Sequence, residues 1–421
     1  MPQRCDAVVI GAGIIGTAIA YSLGQRGIRA LVIDKLPICG YGATAASTAL
    51  IHPLAETEST VALACEGEHV WQSWADYLVD ADIDERGLMT YTPTLSVVLG
   101  GRDVPSLALT CDSLASLGIA FEAIDVGETA ARFPQLSVAY LQNKVEGDDI
   151  CARVFHNAGF VDDPQLATHN IMRAAEREGA TFLYGERITE IVREKDRVCG
   201  VVLDSGDRIE TAIVINAAGS HSRQVNYLAS VESEMRVRTF AARQEVAKLP
   251  ITQLQEAGPV TVMDADSDTY LRICNKGPVL AGKLSGDRSD GNADDPDHFD
   301  PYLGDQWVYL VNRARTILED VGIPRLRLGV VELFDMSEDG QPIYDKTSLN
   351  GYYMAVGTSG HQFKSAPVVG ELMAQIVDAC ESGRDLDSNP IDFYLPRIDH
   401  SINTRVFSRL REPEEAEQQM A

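Results

Sequence analysis

The stretch that most constrains this chain is Val8-Val9-Ile10-Gly11-Ala12-Gly13-Ile14-Ile15-Gly16, close to its start. Residues 7–10 are an apolar run of strand type. Three glycines spaced G-x-G-x-x-G follow, then an amphipathic stretch to Arg26, a break at Gly27 and a second apolar strand ending at Asp34. This is the layout of a dinucleotide-binding βαβ unit. In such a unit Gly11 permits the tight turn, Gly13 lets the backbone approach a pyrophosphate, and Gly16 lets helix and strand pack closely. The helix start, at Ile14 and Ile15, offers free N–H groups and a positive dipole end to phosphates. Asp34, with Lys35 beside it, is placed to accept hydrogen bonds from a ribose.

A chain of 421 residues can hold two or three structural units. No apolar run reaches about 18 residues, and the N-terminus begins a buried strand, so neither a membrane span nor a secretory leader is expected and the location expected is cytoplasmic. The net charge of -26, with 62 acidic against 36 basic residues, argues against nucleic acid and anionic membranes as partners. The eight cysteines are scattered, with no C-x-x-C and no clustered histidine. They read as buried thiols in a reducing compartment, with no metal site and no disulfide framework.

Residues 40–53 are small and poor in charge, a composition that can run close against a large flat ligand. A helical pattern follows over 59–81, then mixed strands and helices over 88–146. Asp163 can cap a helix with Pro164 at its first position, running to about Glu178. Strands follow, the last ending in Asn216-Ala217-Ala218-Gly219, which puts side-chain-free backbone at the carboxyl edge of a sheet, where ligands bind in open α/β folds. Strands dominate 235–284. An acidic loop over 287–297 lacks the ligand spacing of a calcium loop and reads as a solvated loop. A helix is expected over 302–321. The strand 352–356 leads into Gly357-Thr358-Ser359-Gly360-His361-Gln362-Phe363-Lys364-Ser365-Ala366-Pro367 and an amphipathic helix; the segment 411–421 is expected to be disordered.

Taken in order, the Gly11 to Asp34 unit, the small stretch to Pro53, the strand ending at Gly219 and the Gly357 to Pro367 segment resemble the D-amino-acid oxidase superfamily of flavoproteins, most of all its sarcosine and glycine oxidase branch. The resemblance implies FAD rather than NAD. It also implies an α/β (α+β) fold with a Rossmann-type FAD-binding domain over 1–87, 147–225 and 325–400, and a discontinuous, mainly antiparallel-sheet substrate domain over 88–146 and 226–324. Carried over residue by residue, the cofactor contacts are Gly11, Gly13, Ile14, Ile15, Gly16, Asp34 and Lys35; Ser47, Thr48 and Ala49; Ala217, Ala218 and Gly219; and Gly357, Gly360, His361, Gln362, Phe363 and Lys364. Members of the family pass a hydride from an amine-bearing carbon to flavin N5, and the resulting imine hydrolyses. Lys364 matches the lysine that helps bind the substrate carboxylate.

Several positions depart from the sarcosine oxidase pattern. Thr48 and Ile51 stand where those enzymes carry arginines, leaving His52 as the ionisable group of that stretch. Glu332-Leu333-Phe334 replaces the segment bearing a flavin-attaching cysteine, so non-covalent FAD is expected. Phe334 stands where relatives aim a tyrosine or arginine at the substrate. The oxygen-activating lysine aligns on Ala281, with Lys283 two residues on and on the same face of its strand; Tyr270 falls at a site tyrosine. The expected partners are an amine or amino acid and oxygen or another electron acceptor, with homo- or hetero-oligomers left open. Two other readings stand beside the amine oxidoreductase: an FAD-dependent 2-hydroxy-acid dehydrogenase, and a non-catalytic flavin-binding subunit or assembly factor.

Overall fold

The computed structural model describes residues 4–79, 84–100, 105–145, 149–250, 258–285, 292–293, 295–319 and 321–413. Two large sheets organise them. The first has six strands in the order Ile343–Lys346, Tyr352–Val356, Val214–Asn216, Ala7–Ile10, Ala30–Asp34, Thr181–Tyr184. All its pairs are parallel except the first. Every residue of Ala7–Ile10 is buried, because helices cover one face of the sheet and a three-stranded sheet covers the other; this is why the run reads as continuously apolar. The helical face packs Ile14–Gln25, Pro164–Arg177 and Ala366–Glu381. Asp163 caps the second of these through the Leu166 amide at 2.9 Å, with Pro164 in its first turn.

The second sheet has nine strands and is mainly antiparallel, Val260–Asp264 beside Leu95–Leu99 being parallel. The helix Asp305–Ile317 seals one face with Trp307, Leu310, Ala314 and Ile317 over Ala247, Leu271, Val279 and Ala281. Its other face looks toward the six-stranded sheet. Two strands depart from the boundaries expected at 147 and 325: Ile150–Phe155 and Gly329–Ser337 hydrogen-bond into the nine-stranded sheet. Both are strands whose partners lie far away in sequence, so their own apolar pattern could not assign them to a sheet.

Other expectations shift in extent. The helical pattern over 59–81 forms Glu58–Gln72 and, after Ser73, the single turn Trp74–Tyr77, while residues 80–83 lie outside the described residues. The helix expected over 302–321 is Asp305–Ile317. In the acidic loop, residues 286–291 and 294 lie outside the described residues; Asp297 takes part in ion pairs with Lys35 and Arg187. At the expected tail, Arg411 is held by Asp339 at 2.7 Å and by the Gln341 and Pro342 carbonyls, so order extends past it; residues 414–421 lie outside the described residues. No described helix is long and apolar enough to cross a membrane, and no described group of three or more His, Cys, Asp or Glu could hold a metal.

Candidate active site

A cleft, open at its mouth, lies where the two sheets face each other. Gly13, Ile14 and Ile15 line one end, with Ala217, Gly219 and Ser220 beside them. The small-residue stretch forms a long wall through Ala43, Thr44, Ala46, Ser47, Thr48, Leu50 and His52. Gly360, His361, Gln362 and Phe363 line the wall from the Tyr352–Val356 side, and Val246, Tyr270, Lys283, Leu284 and Phe334 contribute from the nine-stranded sheet.

At the glycine end, backbone packing sets the shape. A Cβ on Gly16 would stand 1.9 Å from the Gly11 carbonyl oxygen, and one on Gly11 would stand 2.3 Å from that of Ala217. Both glycines are therefore consumed by packing, and neither lines the cleft. Gly13 differs: only Thr44 Oγ1, at 3.3 Å, comes near its missing Cβ, so it faces space. Gly13 also caps the Ile14–Gln25 helix with no side-chain hydrogen bond. Thr44 Oγ1 accepts from the Ile14 amide at 3.1 Å, while the Ile15 amide meets no acceptor among the described residues. A helix start with a free amide beside an unfilled glycine accepts an anion.

Asp34 has a nearer task than a ribose. Its carboxylate accepts from the Ala12 amide at 2.7 Å and the Leu36 amide at 2.8 Å, bracing the glycine turn. Lys35 turns away to His221 Nε2, at 2.6 Å, and to Asp297. Ala49 is fully buried, and its carbonyl accepts from the Val161 amide. The Ala218 amide is taken by Asn216 and the Gly357 amide by Asp335. Asp34, Lys35, Ala49, Ala218 and Gly357 therefore do not line the cleft.

The other end is built from side chains. Tyr270 lies across Gly282, whose added Cβ would stand 2.3 Å from the phenol oxygen. Burial pushes the phenol up to about 12, so it keeps its proton; the Thr48 hydroxyl donates to it at 3.2 Å and leaves that proton free to donate. Gly282, paired with Tyr270, is thus the position of its strand that faces the cleft. Ala281 faces the Asp305–Ile317 helix instead. Lys283 shares that face, as its spacing requires, yet lines the cleft because the strand ends there. Phe334 packs on Gly360, whose added Cβ would stand 2.3 Å from the ring. His52 and His361 are both pushed down by burial, His361 to about 4, so both imidazoles are neutral.

The helix Glu58–Gln72 buttresses this end. Trp71 Nε1 donates to the Lys364 carbonyl at 2.8 Å and its ring stacks on Phe363 at 5.1 Å, fixing the segment that carries His361. Lys364 itself is buried and does not line the cleft.

Two charged residues escape sequence reasoning. Arg272, two residues after Tyr270, is buried with no carboxylate partner among the described residues. It donates to the Thr48 carbonyl and lies 4.1 Å from the Phe160 ring, pinning the small-residue wall to the nine-stranded sheet. Asp335, beside Phe334, accepts from Ser222 Oγ at 2.8 Å and the Gly357 amide at 2.7 Å; burial pushes its carboxyl up to about 7. A charge inside a largely apolar strand was the one available signal for either, and in the Gly329–Ser337 strand Glu332 shares it.

Comparison with known proteins agrees with this architecture. N-methyl-L-tryptophan oxidase of Escherichia coli (strain SMS-3-5 / SECEC) is 25% identical over 390 residues, 91% of this chain and 98% of that protein. One subunit of the anaerobic glycerol-3-phosphate dehydrogenase of Escherichia coli (strain K12) is 26% identical over 250 residues, 57% of this chain; the match spans only 41% of that relative. Among solved structures, L-proline dehydrogenase from P. horikoshii superposes with a TM-score of 0.76 at 22% identity, covering 97% of this chain and 98% of that one. The family model described as FAD dependent oxidoreductase matches residues 6–376, most of the chain, and the protein belongs to that family.

Proposed function

We propose that this flavoprotein oxidises the CH–NH group of an amino acid or N-alkyl amino acid, giving an imine that water hydrolyses. One observation carries the reading: a single cleft joins an anion-accepting helix start to a chamber of apolar walls and buried donors. Bound FAD would supply the hydride acceptor at its N5. Gly13, Ile14 and Ile15 would hold its pyrophosphate, and the walls at Ala43 to Thr48 and Gly360 to Phe363 would flank its ring. The glycine end fits such a group, because Gly13 leaves space where Gly11 and Gly16 leave none.

The chain's own residues then bind and orient the substrate. Val246, Leu284 and Phe334 exclude water and suit an alkyl or aryl side chain. Tyr270, His52, His361 and Lys283 can donate to a carboxylate. Because burial keeps both imidazoles neutral, they add no cation that would repel the substrate nitrogen. Relatives named for N-methyl-L-tryptophan and L-proline support this substrate class. The partial match to one chain of a glycerol-3-phosphate dehydrogenase favours, as a second reading, a C–OH substrate on the same fold. We place the reaction in the cytoplasm, where the eight unpaired cysteines fit a reducing compartment.

Anaerobic bleaching of the flavin band at about 450 nm, against D-, L- and N-methyl amino acids and 2-hydroxy acids, tests the proposal. Bleaching by an amine with release of ammonia or an alkylamine is the expected result. Bleaching by 2-hydroxy acids alone would transfer the assignment to the second reading. Admission of air then identifies the acceptor: fast recovery means oxygen, slow recovery a quinone or protein.

A further inference from the structure

Lys364 and His52 divide a task in which the family resemblance gives the lysine a part. The Lys364 ammonium, 2% exposed, donates to the Leu54 carbonyl at 2.6 Å and lies 3.5 Å from His52 Nδ1. The imidazole stands between this ammonium and the cleft. His52 is only 7% exposed and lines the cleft, and its Nε2 meets no partner among the described residues. A ring nitrogen with no partner among the described residues, on a side chain that lines the cleft, is free to meet a ligand.

We propose that His52 makes the contact with the substrate carboxylate, and that Lys364 is a positioning residue whose ammonium holds the imidazole as its Nε2–H tautomer, aimed into the cleft. Burial pushes Lys364 down to about 7; below that pH it is an ammonium with donors only, so the imidazole nitrogen facing it is the acceptor and the single proton of a neutral ring sits on Nε2. The Leu54 carbonyl accepts from the ammonium and also lies within reach of the ring, so an Nδ1–H bonded to it is the competing tautomer that the test below must exclude. Both partners are held from outside the cleft. Trp71 grips the Lys364 carbonyl, and Gly67 lies under it, where an added Cβ would stand 2.2 Å from that oxygen. His52 follows the Leu50–Ile51 strand, which pairs with Gly159–Val161. Burial, and after it the Lys364 charge, keeps the ring neutral. A carboxylate therefore meets a neutral donor backed by a positive charge that it does not touch. This inference rests on the proposed carboxylate-bearing substrate, though the tautomer does not.

The test uses the FAD-loaded full chain. Nitrogen NMR of histidine-labelled protein, without ligand, reads the tautomer directly and needs no turnover: an Nε2–H ring is expected, and an Nδ1–H ring bonded to Leu54 overturns the proposal. Benzoate and acetate, titrated through the flavin spectrum, then serve as carboxylate probes. Loss of a charge-assisted hydrogen bond should weaken them roughly ten- to hundredfold in His52→Ala. His52→Gln, whose amide can reach the Nε2 position, should restore most of this. Lys364→Met should weaken them in the wild-type background and leave His52→Ala unchanged, because the lysine acts through the ring. Equal weakening by Lys364→Met in both backgrounds would mean direct contact and overturn the proposal, as would failure of both probes to bind wild type. Should no amine bleach the flavin while the tautomer and the double-mutant cycle come out as expected, the proposed reaction fails and the His52 assignment stands.

Discussion

The two ends of the cleft are built on different principles. At the glycine end the backbone does the work: Gly11 and Gly16 are filled by carbonyl oxygens at 2.3 and 1.9 Å from where a Cβ would stand, and Gly13 is left open. At the far end, side chains from distant segments converge: His52, Tyr270, Phe334 and His361 meet there from four places in the chain. Backbone geometry tolerates no substitution, whereas a converging set can lose one member and keep its shape.

Substitutions can break or sharpen that contrast. The largest effect belongs to the glycines. Gly16→Ala must move the Gly11 turn and should cost about 3 kcal/mol or more, read as a lowered denaturant midpoint. Gly13→Val should leave the fold intact yet yield a colourless protein; a stoichiometrically yellow variant would remove the pyrophosphate from this turn.

Arg272→Met probes the join between the ends. It strips the Thr48 carbonyl of its donor inside a buried contact, and a loss of about 2 kcal/mol in stability is expected. Flavin binding should loosen with it if the proposed cofactor wall includes Thr48, which lines the cleft; unchanged stability would show the guanidinium to be dispensable.

Asp335 sharpens the comparison through pH. Its carboxyl, near about 7 in the fold because of burial, lies near about 3.9 in an unfolded chain. Between these values the folded protein holds a proton that the unfolded chain has released, so this contribution is full below about pH 4 and is lost as pH rises through about 7. Asp335→Asn should flatten that part of the stability profile, measured as the difference from wild type by chemical denaturation across the window.

The smallest effect should come from Asp297, which gathers Lys35, Arg187 and His221 at the protein surface. With a quarter of its side chain exposed and solvent screening the charges, Asp297→Asn should cost roughly 0.5–1 kcal/mol, and less in high salt. A salt-independent loss of several kcal/mol would mean that this contact governs the cofactor end.

The sequence by itself determined the glycine turn, the small-residue wall, the helix capped by Asp163 and the Gly357 to Lys364 loop, and with them the family. These are local: adjacent residues, read through periodicity, capping and the steric needs of glycine, decide them without reference to distant partners. Only the tertiary structure decided the rest. It moved Ile150–Phe155 and Gly329–Ser337 into the nine-stranded sheet and turned Ala281 toward a helix. It also set Lys364 behind His52 and placed Arg272 and Asp335 against the cleft walls. Each of these depends on strand pairing or burial between residues far apart in the chain. A strand's own pattern gives its two faces but not its neighbours, and a lone charge in an apolar strand does not reveal what it will meet.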